Sequence, residues 1–232
     1  WPKEYGGGGA SHIKQLIFRE ESAYAGAPGA SGQGISMVGP CLMVHGSEEQ
    51  RKRFLPPIAN AEVTWAQGFS EPGAGSDLAS VQCRAVRDGD DYIINGQKIW
   101  TSDAHRSEWI HVLTRTEPKA PKHRGISYFL LDMRTPGIDV RPIIDMSGRH
   151  YLNETFFSDV RVPADQMIGE ENDGWYIGAT LLDFERSGVN YPAMARRTVE
   201  QLVLWAKDTK RGRSSLWNDE RVRYRLADHY IE

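Results

Sequence analysis

Between about residues 63 and 163 the chain repeats one pattern: short runs rich in Val, Ile, Tyr, Phe and Trp, broken by turn residues at the intervals of an antiparallel sheet. That pattern leaves little room for a helix, so the middle third is expected to be all-β. Strands are predicted near 81–86, 92–94, 98–100, 109–114, 126–132, 138–143 and 155–162, the last closed by Pro163. Asn95-Gly96 readily takes the positive φ angles of a tight turn, which predicts a hairpin joining Tyr92-Ile93-Ile94 to Lys98-Ile99-Trp100. Asp88-Gly89-Asp90-Asp91 marks a second turn, ahead of Tyr92.

Both flanks carry the helical period instead. Behind a loop at Gly6-Gly7-Gly8-Gly9, the apolar residues Ile13, Leu16, Ile17 and Ala23 predict a helix over about 13–24. Ser47-Glu48-Glu49-Gln50 is a capping box, in which Ser47 and Gln50 each satisfy an orphaned backbone N–H, and Pro56-Pro57 is expected to end the helix it opens. After Gly169 to Gly174 a helical pattern returns over 175–210, interrupted only by Gly178, Gly188 and Pro192, which predicts one long helix or two. Val222, Leu226, Ala227 and Tyr230 continue that pattern to the last residues, as a helix cut mid-pattern would.

Composition removes several function classes. With 28 Lys and Arg against 31 Asp and Glu, a net charge of −3 and no long block of either sign, nothing favours nucleic acid or a polybasic membrane surface. No apolar run reaches the ~18 residues of a membrane span. The start, Trp1-Pro2-Lys3-Glu4-Tyr5, has neither an initiator Met nor a signal-peptide pattern, so a processed chain or a fragment is expected. Cys41 and Cys83 are too few and too far apart for a disulfide framework or a CxxC site, which points to a reducing compartment. The seven histidines form no HxH, HxxE or HExxH grouping, so no metal site is expected. Asn153-Glu154-Thr155 fits a glycosylation sequon but, without a secretory signal, reads as a strand tripeptide.

Three segments could carry chemistry. Glu71-Pro72-Gly73-Ala74-Gly75-Ser76-Asp77 follows an apolar stretch with two glycines, a hydroxyl and a carboxylate, a loop able to approach a ligand closely, although such turns are more often plain solvent loops. It is not a dinucleotide fingerprint, since no GxGxxG follows a strand and Gly32-Gln33-Gly34 lacks that setting. Trp100-Thr101-Ser102-Asp103 offers an indole face and hydroxyls on which an aromatic cofactor could stack; the plainer alternative is a core Trp with surface hydroxyls. Asp183-Phe184-Glu185-Arg186 places two carboxylates and a guanidinium on one helical turn, with Asp183 and Arg186 spaced to pair and Glu185 about 200° around from Asp183. Facing an apolar cavity, Glu185 becomes a proton acceptor usable near neutral pH; facing water it is an ordinary solvated side chain.

Taken together, Gln67-Gly68-Phe69-Ser70-Glu71-Pro72-Gly73-Ala74-Gly75-Ser76-Asp77, then Ile94-Asn95-Gly96-Gln97-Lys98-Ile99-Trp100-Thr101-Ser102, then Val160-Arg161-Val162-Pro163 resemble the acyl-CoA dehydrogenase family over nearly the whole chain. The resemblance implies an α+β fold: part of an N-terminal helical domain (1–61), a middle β-barrel-like domain (62–165) and the start of a C-terminal helical domain (166–232). It also implies missing sequence at both ends, before Trp1 and after Glu232. Carried over by motif, Gln67, Phe69 and Ser70 line the isoalloxazine ring of FAD and Trp100, Thr101 and Ser102 cover its other side. Ser76, Asp183 and Arg186 would contact the substrate, Ser76 and Arg186 through its CoA portion. The implied reaction is α,β-dehydrogenation of an acyl-CoA thioester to the trans-2-enoyl-CoA, a carboxylate taking the α-proton while the β-hydrogen leaves as hydride to flavin N5. That carboxylate occupies one of two places in the family, and Glu185 matches the one used by isovaleryl- and long-chain-type members.

The resemblance further implies an electron-transfer flavoprotein or similar acceptor, and a homo-oligomer (dimer or tetramer) or heterotetramer. The location would be cytoplasmic in a bacterium or the mitochondrial matrix in a eukaryote. Residues 208–228 lack the family's common Phe-Gly step and look like bacterial members acting on bulky acyl-CoAs. Two alternatives share the fold: a flavin-dependent oxygenase or oxidase, and a non-catalytic subunit of a heteromeric dehydrogenase.

Overall fold

Local capping fixes where the first helices begin. In the computed structural model, which describes residues 1–28, 32–186 and 188–231 and gives only the backbone of Phe184 and Arg186, Ser11 accepts a hydrogen bond from Lys14 N at the start of α1 (His12–Ala25). A π-helical stretch leads into α2 (Gly39–His45). Helix α3 (Glu48–Ala59) opens with both halves of the capping box, Gln50 N to Ser47 Oγ at 3.1 Å and Ser47 N to Gln50 Oε1 at 3.0 Å. It does not stop at Pro56-Pro57. A proline removes a helical N–H and crowds the preceding turn, but these two lie in the last turn, where their carbonyls still accept from Asn60 N (3.0 Å) and Glu62 N (2.9 Å), and buried Phe54, Leu55 and Ile58 hold that turn to the core.

The alternating middle forms one eight-stranded sheet: β1 (Trp65–Gly68), β2 (Arg84–Asp88), β3 (Asp91–Lys98), β4 (Trp109–Arg115), β5 (Ile126–Asp132), β6 (Ile138–Ile144), β7 (His150–Pro163) and β8 (Met167–Ile168). The order is β6-β7-β3-β2-β4-β5-β8, with β1 added alongside β4. Pairing is antiparallel except that β1 and β2 each run parallel to β4.

The hairpin expected at Asn95-Gly96 is absent: β3 continues through it along β7, and the dipeptide forms a β-bulge where the register shifts between Ile94 and Gly96. Two tertiary facts explain this. Gly96 has φ +148°, and a Cβ there would lie 2.7 Å from Cys83 Cα; Asn95 exchanges hydrogen bonds with Asp159 across the strand pair. The tight turn lies instead at Gly89-Asp90, closed by the Asp88–Asp91 pair of β2 and β3.

Both sheet faces are covered. Ile110, Val112, Phe129 and Leu131 join Tyr92, Ile94, Phe157 and Val160 in one cluster, while Leu113, Tyr128 and Leu130 face the helical side with Leu42, Phe54, Leu55, Trp65 and Phe69. The period-2 alternation of β4 and β5 sorts these residues. Helix α4 (Gly174–Arg186) closes the second cluster with a buried stripe of Gly174, Ile177, Gly178 and Leu181. Gly174 allows that approach: a Cβ there would lie 2.5 Å from the Ser127 backbone.

By contact density the chain divides into Trp1–Gly9 with Ala30–Arg186, just described, and a second unit of Ala10–Gly29 with Ser187–Glu232. The second unit holds α1, α5 (Asn190–Asp208), a two-stranded ribbon of β9 (Lys210–Arg211) and β10 (Ser214–Ser215), and α6 (Glu220–Ile231). Of the two forms predicted for 175–210, the two-helix one is observed. Glu200 on α5 accepts from Tyr24 and from Arg196 Nε at 3.0 Å, and the Arg196 guanidinium lies over the Tyr24 ring. Among this unit's described residues only Ala193 and Ala206 are buried. No described helix is long and apolar enough to cross a membrane.

Candidate active site

The first two motifs, far apart in sequence, meet at the ends of β1 and β3. Ile99 N donates to Ser70 O at 2.9 Å, and Lys98 Nζ reaches across to Phe69 O (3.1 Å) and Glu71 Oε1 (2.7 Å). Glu71 accepts also from Gln82 N (2.6 Å) and Cys83 N (2.9 Å), so each of its oxygens is engaged. The Lys98 side chain is 0% and that of Glu71 7% exposed, so the pair is a buried staple behind the loop. It was not among the residues the sequence singled out. Its one signal is alternation: Tyr92, Ile94 and Lys98 all fall on the buried face of β3, an unusual place for an ammonium unless it is paired.

On this frame Phe69 is buried, its ring edge-on to His111 (5.3 Å) and Tyr128 (5.9 Å), while Gln67 and Ser70 are half-buried. His111 is sealed from water, its Nδ1 2.9 Å from the Tyr128 hydroxyl; burial lowers its pKa to about 3, so it is a neutral ring here. Burial likewise pushes the thiol of Cys83 up to about 11 and that of Cys41 to about 12, which removes both as nucleophiles near neutral pH.

The segment after β3 turns sharply. Trp100 has φ +61° and is 56% exposed, so it is not a core anchor. Thr101 is buried, with no partner for its Oγ1 among the described residues, and Ser102 is half-buried. The side chains of Gln67, Ser70 and Ser102 make no hydrogen bond among the described residues. Free polar side chains beside an exposed indole fit a flat ring with polar edges, as an isoalloxazine is.

The glycine loop is a tight turn at Pro72-Gly73, closed by reciprocal backbone bonds between Glu71 and Ala74 (2.9 and 3.0 Å). Beyond it Ser76 is exposed. Neighbouring Asp77 is bound by Lys122 and by Ser80 Oγ, and these two hydrogen bonds, Lys122 first, hold its carboxyl below the usual carboxylate range.

On α4, Asp183 and Glu185 are both exposed. The side chain of Arg186, and with it the expected pairing to Asp183, lies outside the described residues. Glu185 follows Leu181 by four residues and Gly178 by seven, so it extends the buried face of α4 one turn past the core. On that face a Cβ at Gly178 would lie 3.8 Å from the Phe69 ring.

Two family models match consecutive parts of the chain. The family model for the acyl-CoA dehydrogenase N-terminal domain matches residues 1–62 and that for the middle domain residues 66–160. The acyl-CoA dehydrogenase IpdE1 of Mycobacterium tuberculosis is 43% identical over 230 residues, covering 98% of this chain and 58% of its own. FadE29 of the same organism is 48% identical over 206 residues, covering 89% and 53%. Among solved structures, the ChsE4-ChsE5 complex from Mycobacterium tuberculosis matches with a TM-score of 0.90 at 42% identity, covering all of this chain and 60% of that one. The Tcur3481-Tcur3483 steroid ACAD matches at 0.89 and 40%, covering 100% and 59%. The chain thus spans a little over half the length of these relatives.

Proposed function

The chain belongs to the acyl-CoA dehydrogenase family, and from that premise we propose that it forms the greater part of an FAD-dependent enzyme that oxidises an acyl-CoA thioester to its trans-2-enoyl-CoA. When bound, FAD supplies the two-electron acceptor for the β-hydrogen. Gln67, Phe69 and Ser70 would line one side of its ring and Trp100, Thr101 and Ser102 the other. Glu185 removes the α-proton as general base, while Ser76, Asp183 and Arg186 hold the CoA thioester. The observation that carries this reading is the placement of Glu185 on the face of α4 that packs beside Phe69, past the point where the core ends. A carboxylate that makes no hydrogen bond or ion pair among the described residues is thereby directed to the same side as the ring-lining residues.

Relatives of this chain include proteins described as a steroid ACAD and as the two-component ChsE4-ChsE5 complex, which supports a bulky acyl-CoA as substrate and a heteromeric assembly. An electron-transfer flavoprotein or similar protein would accept the electrons, in the cytoplasm of a bacterium. The test is anaerobic mixing of the flavin-loaded protein with short, long, branched and steroid-like acyl-CoAs while the flavin absorbance is followed. Glu185→Gln should keep its flavin and slow bleaching by about 10²- to 10⁴-fold, the usual worth of a general base. Bleaching at the unaltered rate overturns the assignment of Glu185 and favours a base elsewhere or on a partner subunit.

A further inference from the structure

The strained turn at Trp100 is held from one side by β7, through two of its backbone carbonyls and one buried side-chain amide. Bulky residues rarely adopt φ near +61°, and such a conformation persists only where its surroundings over-determine it. Asp103, three residues on, is also left-handed, with φ +56°. Between them, Thr101 N donates to Asn153 O and the Asn153 side-chain Nδ2 donates to Thr101 O, both at 2.9 Å. Asp103 N donates to Tyr151 O at 2.9 Å. Because the N–H and the C=O of Thr101 belong to successive peptide planes, one residue on β7 fixes both, and so sets the directions in which Trp100 and Ser102 leave.

Asn153 is itself fully buried and its amide is aimed by two histidines. His150 Nε2 lies 2.7 Å from Asn153 Oδ1 and His105 Nδ1 lies 3.2 Å from Nδ2, the two imidazoles being stacked with centroids 3.8 Å apart. The network is consistent only if His150 carries its proton on Nε2 and His105 leaves Nδ1 bare, since Nδ2 has donors alone. A buried amide with its donors and acceptor all engaged is a rigid support, and neither a sequon nor an ordinary strand residue calls for one.

We propose that Asn153 is the positioning residue of the Trp100–Ser102 turn, acting through Thr101 to present the face that the proposed function places over the flavin. It rests on that reading for what the turn presents, though not for the clasp itself. The test is Asn153→Asp, which keeps size and the acceptor for His150 but deletes the N–H donors, with Asn153→Ala beside it, both in the full protein. Amide exchange over residues 99–104 is followed by mass spectrometry alongside FAD affinity and the visible spectrum of the bound flavin. Exchange at 101–103 should quicken about ten-fold in Asn153→Asp, the effect of losing the one side-chain bond to the turn itself, at Thr101 O, without faster exchange in β4 and β5. FAD should bind about ten-fold more weakly, with a shifted spectrum. Unchanged exchange at 101–103 in both variants overturns the clasp. Quickened exchange with unaltered FAD affinity and spectrum overturns the role toward the flavin. A parent protein that binds no FAD overturns the proposed function instead, while quickened exchange in its variants still supports the clasp.

Discussion

Glu71 and Glu185 are carboxylates of one candidate site, and their surroundings are opposite. Glu71 lies in the loop after β1, almost sealed from water, its two oxygens taken by Lys98 and by two backbone N–H groups. Glu185 stands exposed at the end of α4, on the helix face that was apolar one turn earlier. A buried carboxylate engaged by an ammonium and two backbone N–H groups is a structural part, with its oxygens turned to the staple rather than to a substrate. One that is left open, beside residues held rigidly by the first, can accept a substrate proton. The buried carboxylate and its lysine build the wall, and the exposed one is the proposed base.

The sharpest way to break this contrast is Lys98→Met. Leaving Glu71 buried without its cation should cost about 3–5 kcal/mol, read as a lower urea midpoint, and should free the Phe69–Ile99 region. A loss under 1 kcal/mol would show that the staple is not what holds the wall.

Beneath Phe69, His111 gives the wall a pH limit. Folded His111 stays neutral down to about pH 3 whereas an unfolded histidine takes a proton near 6.5, so its contribution is complete above that value and is lost as pH falls from about 6.5 toward 3. The loss should reach about 2 kcal/mol by pH 5. His111→Gln, which does not titrate, should flatten this part of the stability profile.

Gly96→Ala should cost about 1–3 kcal/mol, because the added Cβ meets Cys83 backbone and the bulge requires a positive φ. The smallest effect belongs to the other carboxylate: Glu185→Gln should leave the free energy of unfolding in urea within about 0.5 kcal/mol of the parent, as surface substitutions do. A large destabilisation there would make Glu185 a structural residue like Glu71.

Much of the fold could be read from residues close in sequence. Ser47 and Gln50 are three apart and cap one turn, and the apolar run of 126–132 became β5 with those bounds. Two local signals misled. Pro56-Pro57 is a helix breaker only where helical bonds are still needed, and Asn95-Gly96 is a hairpin signal only where no neighbouring strand holds the chain straight. At the candidate site, the two motif stretches were visible as stretches, yet the bonds that join them connect Ser70 to Ile99 and Glu71 to Lys98. Nothing in the spacing of those residues announces a pairing.

By itself the sequence determined the types of most elements, the capping box at Ser47 and Gln50, the turn at Gly89-Asp90 and the motifs of the family, because each depends on energies exchanged over a few residues. Only the tertiary structure decided that Lys98 is buried and Trp100 exposed, that Asn153 supports a turn 52 residues away, and that Glu185 extends an apolar face into the open. Those outcomes depend on which surfaces lose their water when distant segments pack together, and burial of that kind is a property of the assembled fold.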